Sequence, residues 1–171
     1  MRTLLTVVVV ALVWVSSLHL FFRVEPRALV TPLTEELRAA KLEPLRRSNP
    51  EWDLMARTFT VLAFVKQAPT RPELLADVDA LLDDTLTLDA SRRDAFVLPY
   101  FNARPFVDRE TTSLFVDGEL ALMLAARLKV GDVPRFREPL RTRIDRLTAA
   151  MQRGPVLSAE SYPDEAWTYC N

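Results

Sequence analysis

The sequence predicts an all-α protein, on three observations. Apolar residues recur at spacings of three and four in several separate segments, no stretch sustains an alternation of period two, and the cap-proline pairs Thr31-Pro32 and Asn49-Pro50 mark helix starts. The 171 residues, 49% hydrophobic and 26% charged, have globular composition with room for one domain, which sets aside disordered, collagen-like and coiled-coil classes.

The first element is apolar almost throughout. Residues 3–22 (TLLTVVVVALVWVSSLHLFF) contain no Asp, Glu, Lys or Arg, and at about 1.5 Å per residue they cover roughly 30 Å, the thickness of bilayer hydrocarbon. His19, Phe21, Phe22 and Arg23 close the run with groups suited to the headgroup region. A cleaved signal peptide and a core helix are the other readings. A signal peptide has a shorter apolar region, and the best small-residue cleavage candidate, Val15-Ser16-Ser17, lies inside the run. The expectation is an uncleaved signal anchor over residues 1–23, a single transmembrane helix whose partner is the lipid bilayer through residues 3–22. Arg2 and the amino terminus nearly balance Arg23 and Arg27, and the body is expected on the non-cytoplasmic side.

Residues 24–30 read as a tether and residues 31–171 as one helical domain. Thr31-Pro32 opens a helix with Leu33, Leu37 and Ala40 on its apolar side, reaching about Arg47. Asn49-Pro50 opens the next, in which Trp52, Met55, Phe59 and Leu62 form the apolar face that must pack, to about Lys66. After a break from Pro69 to Pro72, Leu74, Leu75, Val78, Leu81 and Leu82 mark another helix to about Leu88. From Asp89 to Arg109 the period weakens, which predicts a short helix and then a loop whose Tyr100, Phe101 and Phe106 plug a core.

Leu114, Gly118, Ala121, Leu122 and Ala125 restore the helical period. Gly118 there is read as permitting close helix packing, and Gly131 as a left-handed cap. Phe136, Leu140, Ile144, Leu147 and Met151 line one more helix, stopped by Gly154-Pro155. Ser161 or Tyr162 before Pro163, with Asp164 and Glu165 behind it, reads as the entry to a further helix, Ser161 being its cap. Trp167, Tyr169 and Cys170 then begin an apolar face at the last residues. The domain is therefore expected to be the N-terminal part of a longer protein, or one whose core another chain completes.

Composition also excludes several chemistries. The 22 Lys+Arg against 23 Asp+Glu give a net charge of -1, so nucleic acid has no electrostatic hold and is not an expected partner. The three glycines, Gly118, Gly131 and Gly154, lie too far apart for a phosphate-cradling loop. With His19 and Cys170 the single residues of their types, no Ser-His-Asp triad, zinc site or intrachain disulfide can be assembled; no metal or cofactor is expected. Asp77, Asp79, Asp83, Asp84 and Asp89 lack EF-hand spacing and read as a solvated helix face.

Pro163-Asp164, followed after five residues by Cys170-Asn171, resembles the spacing around a catalytic cysteine in the linalool dehydratase-isomerase family, whose members are toroids of helix pairs. Gly118, Leu120, Leu122 and Met123, then Val130-Gly131 and Phe136, are similar to another helix of that family. The resemblance runs from about Trp52 to Asn171. It implies half of an (α/α)6 toroid, with the family's second catalytic cysteine at Cys170, its first at Ser161, its histidine at Glu119 and its pocket methionine at Phe115. Because two of these positions have changed chemical type, dehydration of linalool is not implied. What is implied is a catalytic pair, Glu119 as acid for a leaving hydroxyl and Cys170 as base or nucleophile, in a pocket with Phe115, Ser161, Tyr162, Trp167 and Tyr169. The expected function is that of a membrane-anchored part of a lyase or isomerase for an apolar or sugar-like small molecule, inactive as the isolated chain. The competing expectation is a non-catalytic helical scaffold for a protein partner, in which Cys170 is a small buried hydrophobe and Glu119 an exposed helix carboxylate.

Overall fold

The computed structural model describes residues 2–21, 35, 42–91, 95–97, 106–107, 113–153, 159–163 and 165. Their regular elements are six helices: α1 (Arg2–Phe21), α2 (Leu42–Ser48), α3 (Pro50–Gln67), α4 (Leu74–Ser91), α5 (Leu114–Val130) and α6 (Pro134–Arg153). Among the described residues there is no strand, only an isolated antiparallel bridge between Tyr162 and Glu165. The all-α expectation holds. The tether at 24–30, the helix start at Thr31, the aromatics Tyr100 and Phe101 and the Gly154-Pro155 stop lie outside the described residues.

The chain divides into two compact units, 1–38 and 39–171. In the first, α1 turns its apolar side chains from Leu4 to Leu18 outward. Among the described residues no helix is long and apolar enough to cross a membrane. What the fold supplies at the expected anchor is a helix, and a span over 3–22 does not follow from it.

In the second unit the helix starts are set locally. Asn49 is extended (φ -156°) and its side chain accepts the Trp52 N–H at 3.1 Å, while Pro50 fills the first helical position where no donor is needed. Ser113 caps α5 by accepting the Val116 N–H at 3.3 Å. α5 packs against α3, α4 and α6, and α2 against α3. Leu54, Val61 and Phe64 of α3, Val78 and Leu82 of α4, Leu120, Met123 and Leu124 of α5 and Phe136 of α6 form a core with essentially no exposure.

Several expectations change at this level. The stripe Trp52, Met55, Phe59 is not the core face of α3. Trp52 and Phe59 are 63% and 60% exposed, while Asp53, Arg57, Thr58 and Thr60 are buried. α4 runs on to Ser91 and so absorbs the start of the short helix expected after Asp89. On α5 Leu122 and Ala125 are exposed, and Ile144 of α6 is as well. Gly131 ends α5 with φ 172°, extended backbone open to any residue, so no left-handed cap is formed. Its carbonyl instead accepts Arg127 Nη1 at 3.0 Å.

Asp83 and Asp84 of α4 are exposed, as a solvated face implies, yet four of the α4 aspartates are also answered by arginines of three other helices. Asp84 receives Arg57 of α3 at 2.6 Å, Asp79 receives Arg127 of α5 at 2.5 Å, and Asp83 and Asp89 receive Arg135 and Arg143 of α6 at 3.1 and 2.7 Å. Arg57 is buried and also donates to Asp53 (2.8 Å) and Thr85 (2.9 Å), with the Phe96 ring 5.8 Å from its carbon. Burial pushes the Asp53 carboxyl above its ordinary range, against the opposing pull of Arg57. Its Oδ2 accepts no hydrogen bond, and Arg46 Nη1 stands 3.8 Å from it. Arg143 likewise reaches the buried Asp117 of α5. Such enclosed pairs fix how the helices meet, whereas the exposed Arg135–Asp83 pair is screened by solvent and contributes little.

Candidate functional site

Between α3 and α5 lies an open cleft of about 600 Å³. The first turns of α3 supply Glu51, Trp52, Met55 and Phe59, spaced so that one helix side carries all four. The facing start of α5 supplies Leu114, Phe115, Gly118 and Glu119. A Cβ built on Gly118 would meet nothing within 4 Å, so this glycine opens onto space and does not serve the close packing expected of it.

A short turn stands behind the cleft. The Ser161 and Tyr162 N–H groups donate to the Glu165 carbonyl at 2.9 and 3.3 Å, and the Glu165 N–H returns to the Tyr162 carbonyl at 2.9 Å. Ser161, Tyr162 and Glu165 are thus tied in a tight reversal, and the helix expected to follow lies outside the described residues. The turn is stitched to α5: Ser113 Oγ donates to the Ser161 carbonyl at 2.5 Å, and the Leu114 N–H to the Glu160 carbonyl at 2.9 Å. It is tied to α3 by the fully buried Tyr162, whose hydroxyl donates to Glu51 Oε2 at 3.0 Å.

The cleft's charges are all negative. Glu51 is held by Tyr162, while Glu119 is half-buried and its Oε2 is shut away from water with no hydrogen-bond partner. A buried acceptor without a donor is a cost to the fold. Among the described residues no Lys, Arg or His lines it. The arrangement can hold an apolar body against Trp52, Phe59 and Phe115 and offer a carboxylate to a donor. Among the described residues no group of three His, Cys, Asp or Glu is placed to hold a metal ion.

Of the residues singled out in the sequence, Phe115 and Glu119 line the cleft, and Tyr162 reaches it through Glu51. Ser161 is buried beside Ser113 with an unpartnered Oγ; it caps no helix among the described residues, and it is not a lining residue. Cys170, Trp167 and Tyr169 lie outside the described residues. Glu51, Trp52, Met55 and Ser113 were not marked for function by the sequence. The available signal was Asp53 and Arg57, an i,i+4 acid-base pair on the side of α3 away from the Trp52 stripe. Comparison with protein-family models, curated proteins and solved structures finds no match to this chain.

Proposed function

We propose that the chain is a membrane-anchored helical domain whose α3–α5 cleft binds a small, largely apolar molecule, with Glu119 as its hydrogen-bond acceptor. One observation carries this reading: a carboxylate oxygen without a partner in the wall of an otherwise apolar cleft. The anchor rests on the uncharged run at 3–22 and on the outward apolar side chains of α1. The sequence of helix pairs joined by short connections, α3 with α4 and α5 with α6, suits the first members of an α/α toroid, with the cleft on the cavity side. In a lyase or isomerase of that kind the acid for the leaving group would be the protonated form of Glu119, a role distinct from the acceptor role of its carboxylate. Glu51 is committed to Tyr162, so this chain alone is expected to bind without turnover.

The test is a titration of the full chain in phosphatidylcholine vesicles with straight-chain alcohols and amines from butyl to octyl, read by tryptophan emission. A saturable change is expected, absent in Trp52→Phe and in Gly118→Leu, which fills the cleft. No saturable response to any member rules the reading out. The anchor is tested separately by flotation: the full chain should rise with the vesicles and residues 24–171 alone should not.

A second reading has its own observation. Trp52, Phe59 and Leu122, at 63%, 60% and 46% exposure, are the kind of apolar anchors by which proteins dock. A scaffold for a protein partner would give no small-molecule saturation and would lose that partner in Trp52→Ala.

A further inference from the structure

Building on the reading of the cleft as a small-molecule site, we infer that its ligand is a cation, an amine protonated at neutral pH and carried on an apolar chain. The rest of the molecule shows how this fold treats its acids. Asp53 and Asp117, both buried, face Arg57 and Arg143, and Asp79, Asp83, Asp84 and Asp89 each receive an arginine. The two cleft carboxylates are treated otherwise. Glu51 has a neutral tyrosine hydroxyl and Glu119 Oε2 has no hydrogen-bond partner, and among the described residues no basic side chain lines the cleft. The missing positive charge is the group a ligand would bring.

The remaining wall agrees with that chemistry. The faces of Trp52, Phe59 and Phe115 attract a cation through their negative ring faces and accept its hydrocarbon part as well. A carboxylate or phosphate ligand would meet like charge at Glu51 and Glu119 with no compensating donor. A neutral alcohol can satisfy one acceptor but leaves the carboxylate charge unanswered. An ammonium supplies both, through N–H donors and a full charge, and a charge-assisted hydrogen bond is the stronger kind. Glu119 Oε2 is turned into the wall in the empty cleft, so binding includes a rotation of that side chain toward the amine.

The experiment compares hexylammonium with hexan-1-ol on the full chain in phosphatidylcholine vesicles at pH 7, by tryptophan emission, with Trp52→Phe as blank for partition into lipid. Hexylammonium is expected to bind at least about tenfold more tightly, the margin of a charged over a neutral hydrogen bond. Glu119→Gln should remove most of that margin. Equal or tighter binding of the alcohol overturns the cation inference while the cleft reading stands; no saturable response to either compound removes both. Should Glu119→Gln lose its helical circular dichroism, a sodium chloride series on the unaltered chain decides. Ammonium binding that weakens with salt while alcohol binding does not supports the inference, and salt-independent ammonium binding overturns it.

Discussion

The two sides of α3 reverse the usual partition between inside and outside. One buries Asp53, Arg57, Thr58 and Thr60 among Leu54, Val61 and Phe64; the other leaves Trp52 and Phe59 in the open. The inward charges survive because each finds partners: Arg57 donates to Asp53, Asp84 and Thr85 and lies over the Phe96 ring. The outward aromatics have no such company from their own unit. The difference shows that burial in this helix follows available partners; on the reading proposed above, the exposed stripe is the side that meets a ligand.

The largest effect should come from the inward side. Arg57→Leu strands the buried Asp53 without its cation, and urea denaturation of this variant should show a loss of about 3–5 kcal/mol. The double variant Asp53→Leu with Arg57→Leu should regain most of it, because two apolar groups replace the pair. A loss under about 1 kcal/mol for the single variant would mean that the network does not hold α3 to α4, and the contrast between the sides would collapse.

The helices themselves were legible in the sequence, because cap-proline pairs and period fix local structure without knowledge of neighbours. Asn49-Pro50 is a case in point, its side chain accepting the Trp52 N–H as the pattern implies. Which side of a helix faces inward was less legible. Trp52, Met55 and Phe59 carry the apolar period, yet the arginine-aspartate pairings that settle the matter join residues 27 to 54 positions apart in the chain. The same distance hid the site. Glu119 and Phe115 were singled out and line the cleft, but Glu51 meets them only through the packing of α3 on α5, and Tyr162 reaches Glu51 from 111 positions away. Gly118 was misread because sequence cannot say whether the space beside a glycine is filled or empty.

Gly118 sharpens the contrast from the cleft side. Since a Cβ there would touch nothing within 4 Å, Gly118→Ala adds helix propensity without a clash and should stabilise by about 0.5–1 kcal/mol in the same denaturation assay. A destabilised variant would show that the space between α3 and α5 closes in solution.

A smaller and pH-dependent effect belongs to Asp53. Its folded carboxyl is raised above the ordinary value of 3.8, so the folded state holds the proton more firmly than the unfolded chain. The Asp53 contribution to stability is therefore most favourable below about pH 4, near the unfolded value. It diminishes as pH rises through the folded value. Asp53→Asn removes this titration while keeping an acceptor for Arg57. The stability of the unaltered chain relative to the variant should fall between pH 4 and pH 7; a rise over that interval would mean that the pull of Arg57 outweighs burial.

The least effect on folding should come from the most conspicuous apolar groups. Trp52→Ser with Phe59→Ser removes two aromatics that the fold leaves mostly in water, and stability should move by no more than about 0.5 kcal/mol. In a binding experiment read by equilibrium dialysis, which does not depend on Trp52 emission, the same variant should fail, because the wall that holds the hydrocarbon part is gone. A stability loss of several kcal/mol would place both rings inside a core and return α3 to the orientation its periodicity suggests. Unchanged stability with lost binding would separate the two sides of the helix into one that folds the chain and one that serves its ligand.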